Sequence, residues 1–97
     1  MIILKDYYEL LMNRDIPTEE AAEMRREALN RYEQKLLVQG WQISIGEGGV
    51  ISPDDSTVLY TTRSPYHGQL FQNSREGKEN FELIKNEFIK SGDFKEV

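Results

Sequence analysis

A chain of 97 residues has room for one small domain, because a second core would need about 50 residues of its own, and a multidomain enzyme is excluded. With 12 Lys and Arg against 17 Asp and Glu, the formal charge is -5 and the pI is about 4.9, which disfavours gripping a phosphate backbone and suits a basic partner. Cysteine is absent, so disulfides, thiolate zinc sites, iron–sulfur ligation and cysteine nucleophiles are all excluded.

From Ile3 the apolar residues fall at Ile3, Leu4, Tyr7, Tyr8, Leu11 and Met12, a three-and-four spacing that predicts a first amphipathic helix ending near Asn13. Adjacent Tyr7 and Tyr8 cannot both be equally buried on one helix, so one should lie at the edge of the apolar face. After a short connector, Thr18 stands where a helix cap belongs, and Glu19, Glu20 and Glu23 load the first turns with negative charge. Ala21, Met24, Ala28, Tyr32 and Leu36 then form a stripe, widened by Leu29, for a second helix over about residues 19 to 39. Gly40 is placed to end it in a left-handed conformation.

Beyond Gly40 the period changes to two. Trp41, Ile43 and Ile45 alternate with Gln42 and Ser44 as a half-buried strand, and Gly46 to Gly49 read as a turn. Val50 to Ser52 offer a return strand, Pro53 to Ser56 a second turn, and Thr57 to Thr62 a third strand with Val58 and Tyr60 opposite Leu59. Residues 63 to 73 contain Pro65 and Gly68 and read as a loop that could hold a fourth short strand at Gln69 to Gln72. Asn73 or Ser74 then caps a last helix, with Glu76 as a capping-box partner, Phe81, Ile84 and Phe88 as its stripe and Gly92 as its stop.

The expected fold is therefore α+β in a single domain spanning 1–97. It has a helical hairpin (1–39), a small three-stranded antiparallel meander with its loop (40–72), one C-terminal helix (73–92) covering the same sheet face, and a frayed tail (93–97). The expected core is Leu29, Tyr32, Leu36, Trp41, Ile43, Ile45, Val58, Tyr60, Phe81, Ile84 and Phe88.

Several motifs are weighed and set aside. Asp54 and Asp55, with Glu47 nearby, are oxygen ligands in principle, but the calcium-loop spacing is missing and Pro-Asp-Asp-Ser is ordinary turn composition, so no metal and no cofactor are expected. Gly46 to Gly49 lead into a strand rather than a helix N-terminus, which excludes a phosphate loop. Residues 1–39 hold 6 basic and 8 acidic side chains, residues 40–74 hold 1 and 3, and residues 75–97 hold 5 and 6, so no segment favours direct nucleic-acid binding. His67, the one histidine, sits in a loop without a recognisable nucleophile context.

Folding signals run throughout the chain, and a coherent catalytic set is found nowhere. The expectation is a non-catalytic protein-binding module, an inhibitor or accessory regulator of a larger complex, with its surface built from Arg63, Tyr66, His67 and Phe71 and the neighbouring turn acids Glu47, Asp54 and Asp55. Its partner is another protein, with a basic or nucleic-acid-binding surface. One alternative is a mobile-element or viral inhibitor that fills a basic nucleic-acid-binding groove; another is a small enzyme using His67 as general base. With no apolar run long enough for a bilayer and no leader pattern, cytoplasmic residence without membrane contact is expected.

Overall fold

The computed structural model describes all 97 residues. It is an α+β domain in which three helices accompany a six-stranded antiparallel sheet. In chain order the elements are β1 (Ile2–Leu4), α1 (Lys5–Met12), α2 (Thr18–Val38), β2 (Gln42–Ser44), β3 (Gly49–Ile51), β4 (Thr57–Tyr60) and β5 (Gln69–Gln72). A short 3-10 turn (Arg75–Gly77), α3 (Lys78–Lys90) and β6 (Phe94–Glu96) complete it. Strand order is β2-β3-β4-β5-β1-β6, so the expected three-stranded meander, β2–β3–β4, forms one half of a sheet of six.

The two terminal strands were not expected. Ile2, Ile3 and Leu4 do not open the first helix; they pair with β5 on one side and β6 on the other, and all three are buried. A short continuous apolar run fits a helix turn or a strand covered on both faces equally well, and here tertiary pairing decides. Residues 93 to 97 are likewise not frayed, because Phe94 pairs with Leu4, lies only 2% exposed and stacks on Phe88 at 5.1 Å. Backbone bonds between Met1 and Val97 close this end: the terminal amine donates to the Val97 carbonyl at 2.6 Å, and the Val97 N–H donates to the Met1 carbonyl at 2.8 Å.

Register lines up Ile43, Val50, Leu59, Leu70 and Ile2 in one row across the sheet. Leu29 and Leu36 of α2, with Trp41, join that row, and Phe81, Ile84 and Phe88 of α3 pack on it, so both helices cover one sheet face. Leu59, expected opposite the core, is fully buried in it, while Val58 is buried on the reverse side between Ile51 and Phe71. A central strand flanked on both sides has little face left open.

Ile43 and Ile45 are not core residues. β2 is the outermost strand, Ile45 already belongs to the turn beyond it, and the two are 48% and 83% exposed. Tyr32, Tyr60, Phe81, Ile84 and Phe88 are half-buried rather than buried. Tyr7 is buried and Tyr8 half-buried, the asymmetry their adjacency requires.

Gly40 (φ 97°) and Gly92 (φ 85°) adopt the left-handed conformation expected just beyond a helix. The cap assignments fare differently. Pro17 rather than Thr18 precedes α2 and no side chain caps it, while the 3-10 turn at Arg75–Gly77 displaces α3 so that neither Asn73 nor Ser74 caps it. No helix is long and apolar enough to cross a membrane.

Phe94→Ala is expected to cost about 3–5 kcal/mol in urea unfolding, the usual range for emptying a buried aromatic site. A loss below about 1 kcal/mol would mean that the C-terminal strand is ornamental.

Candidate functional site

The segment between β4 and β5 is held at both ends. The Gly68 N–H donates to the Tyr60 carbonyl at 2.8 Å, and the Gly68 carbonyl accepts from the Leu4 N–H at 2.8 Å, tying the loop to β1. Inside the loop the Ser64 hydroxyl accepts from the Tyr66 N–H at 3.1 Å, a local bond that serine favours in turns. These bonds present Tyr66 beside the sheet.

Strand alternation turns Tyr60 and Phe71 to the face opposite Leu59 and Leu70, away from α2 and α3. There they meet Tyr66 in a nearly equilateral aromatic trio. Ring centroids lie 5.6 Å apart for Tyr60–Tyr66, 5.2 Å for Tyr60–Phe71 and 5.9 Å for Tyr66–Phe71, with planes inclined by 52°, 68° and 63°. Such inclined contacts set positive ring edges against negative ring faces, which fixes the trio's shape. Tyr66 is 53% and Phe71 38% exposed, so the cluster is an open surface rather than a core.

Its electrostatics are negative. Burial, then the Glu47 carboxylate, then Tyr66 push the Tyr60 hydroxyl above the ordinary tyrosine range, which places Glu47 within the field of the trio. Glu47 is exposed and has no ion-pair partner in the molecule. The rings themselves are also uncovered by cations. Tyr7 lies under the Arg25 guanidinium at 5.8 Å, Tyr32 under the Lys35 ammonium at 5.2 Å and Tyr8 under the Lys95 ammonium at 4.7 Å, whereas Tyr60 and Tyr66 carry none.

The other residues singled out from the sequence lie in different arrangements. Arg63 reaches across to α2 and donates to the buried Glu33 carboxylate at 2.9 Å and to the Thr61 hydroxyl at 3.3 Å. Glu33 escaped notice because a glutamate next to an apolar stripe reads as solvated; its burial depends on this arginine. His67 is engaged apart from the trio, its Nδ1 sharing a 3.1 Å hydrogen bond with the Tyr7 hydroxyl and the two rings edge-on.

Asp54 organises its own turn. One carboxylate oxygen accepts from the Ser52 hydroxyl at 2.7 Å, the Ser56 hydroxyl at 2.7 Å and the Ser56 N–H at 3.0 Å. Burial works to raise its carboxyl, but those bonds favour the ionised form more strongly and hold it below the ordinary aspartate range. Asp55 takes the left-handed conformation (φ 63°) that a turn aspartate tolerates, and its carbonyl accepts from the Asn73 amide at 2.9 Å.

Three surface recesses of about 440, 350 and 310 Å³ exist, and His67 lines none of them. No three His, Asp or Glu side chains gather as metal ligands would. Tyr60, missed as a site residue because it was assigned to the core, is the member that joins Tyr66 to Phe71.

Arg63→Ala should destabilise the fold by about 1–3 kcal/mol, since it strands a buried carboxylate, and an equal loss in Glu33→Gln would contradict that cause. Asp54 gives a pH signature. Its folded pKa is depressed, so its stabilisation is present above the unfolded value near 4 and is lost as pH falls through the folded value. The melting-temperature gap between the native protein and Asp54→Ala should thus be full at pH 7 and shrink below pH 4; a gap independent of pH removes the ionised carboxylate from the explanation. The chain matches no protein-family model, no curated protein and no solved structure, so the reading of the site rests on its own residues.

Proposed function

We propose that the chain is a small cytoplasmic, non-catalytic protein-binding module, an inhibitor or accessory regulator of a larger complex, and that it receives a basic side chain of its partner on the Tyr60–Tyr66–Phe71 trio. The supporting observation is the distribution of cations over tyrosines. Three of the five tyrosines are covered by the chain's own Arg or Lys, and the two left bare are the half-buried Tyr60 and the exposed Tyr66, in the trio that feels the unpaired Glu47. The only basic residue between residues 40 and 74 is Arg63, and it is bound to Glu33.

An arginine is the best match for such a surface. Its flat guanidinium stacks on an aromatic face while its N–H groups reach a neighbouring carboxylate, and a cation over an aromatic ring contributes about 0.5–2 kcal/mol depending on desolvation. Tyrosine and arginine are also the residue types that concentrate binding energy at interfaces. The net charge of -5 supports steering toward a basic surface, an effect that salt screens over a Debye length of about 8–10 Å.

The test compares baits in quantitative affinity purification from native lysate. A partner retained by the native chain should be lost at least about tenfold with Tyr66→Ala and with Glu47→Lys, both at exposed positions, and its capture should weaken as salt rises. Equal capture by all three baits would overturn the assignment of the surface. If the partner also binds DNA or RNA, competition for one site selects the version in which this chain fills a nucleic-acid groove, and simultaneous binding rejects that version.

A further inference from the structure

The two edges of the sheet differ in a way that the aromatic trio does not explain. At the β6 edge, Phe94–Glu96 carries Lys95 and Glu96, with Asp93 just before it, the kind of charged edge that discourages strand addition. Self-pairing of two β6 strands about their middle residue would set Lys95 against Lys95. The β2 edge has no such guard. Residues 36–46, Leu-Leu-Val-Gln-Gly-Trp-Gln-Ile-Ser-Ile-Gly, contain no charge at all in a chain that is 30% charged. Within this neutral stretch Val38 at the end of α2, Ile43 in β2 and Ile45 just beyond it are 89%, 48% and 83% exposed, and the outer edge of β2 has no strand partner.

We infer that β2 pairs with β2 of a second copy of this chain, antiparallel and centred on Ile43, to form a twofold dimer with a continuous twelve-stranded sheet. Charge selects this occupant and this edge. Two molecules of net charge -5 repel each other over most of their surfaces, and the uncharged stretch is where they meet without a carboxylate facing a carboxylate. The pairing is self-complementary by composition: Ile43 faces Ile43, Gln42 faces Ser44, and Trp41 lies opposite Ile45. It also extends the core row, because Ile43 already stands in line with Val50, Leu59, Leu70 and Ile2, and a second row begins where the first is cut off.

A twofold perpendicular to the sheet leaves α2 and α3 of both copies on one face and both aromatic trios on the other. Each dimer therefore presents two equivalent basic-side-chain receptors, and a partner with repeated basic sites gains avidity. The edge is short, so the dimer is weak compared with interfaces that bury about 1,200 Å² or more.

Sedimentation velocity on the full chain, from about 10 μM to 1 mM, tests the inference in the affinity range of a weak contact. The native protein should shift from its 11.3 kDa monomer toward twice that mass as concentration rises. Ile43→Lys and Ile45→Lys should each weaken dimerisation at least about tenfold, and Tyr66→Ala should leave it unchanged. If Ile43→Lys fails to fold, Ile45→Lys carries the comparison, since that side chain projects almost wholly into solvent. A native protein monomeric over the whole range, a dimer that survives both lysines, or a dimer lost in Tyr66→Ala would each overturn the inference.

Discussion

Strand β1 is three residues long, yet hydrogen-bonded ladders run along both its sides, to β5 and to β6. Its side chains are buried on both faces, and each contributes about 1.5–3 kcal/mol for leaving water. Without Ile2–Leu4, β6 has no neighbour, Phe94 loses the backbone that holds it against Phe88 and Tyr32, and the carbonyl of Gly68 loses its donor. The loop carrying Tyr66 and His67 is pinned through that same bond. A packing constraint at one end of the sheet thus sets the geometry of the surface assigned to partner binding.

Electrostatic pairing inside the chain sorts its charged residues into two groups. Arg25, Lys35 and Lys95 lie over tyrosines at the helices and at β6, Arg63 neutralises the buried Glu33, and Lys35 also reaches Asp93, which accepts the Tyr32 hydroxyl. Burial and the Asp93 charge push that hydroxyl far above the ordinary tyrosine range. These contacts hold helices to sheet and leave few cations near β4 and β5. The bare, acidic aromatic surface is the part of the molecule where tyrosine rings have none of the chain's own cations over them.

The helices were legible in the sequence because a period of 3.6 sustained over several turns has few alternative explanations, and the stops at Gly40 and Gly92 were read from residue type alone. The inner strands were legible through alternation and turn composition, including the short one at Gln69–Gln72. Ile2–Leu4 and Phe94–Glu96 were not, because each is too short to show a period and acquires its structure from a partner remote in the chain. For the same reason Ile43 and Ile45 were placed in the core: alternation reveals a strand but not its place in the strand order. At the site, Tyr66, Phe71 and Glu47 were named from the sequence, while the separation of His67 from them depends on where Tyr7 comes to rest.

The strand order also bears on how the chain is made. β1 leaves the ribosome first of all the elements, and its neighbours β5 and β6 follow some 65 and 90 residues later, a delay of several seconds at about 5–20 residues per second. During that interval Ile2, Ile3 and Leu4 are an unsheltered greasy segment beside nascent helices, a target for chaperones and for misassociation on crowded polysomes. Completion of the sheet at β1 therefore waits for the last strand of the domain to be made.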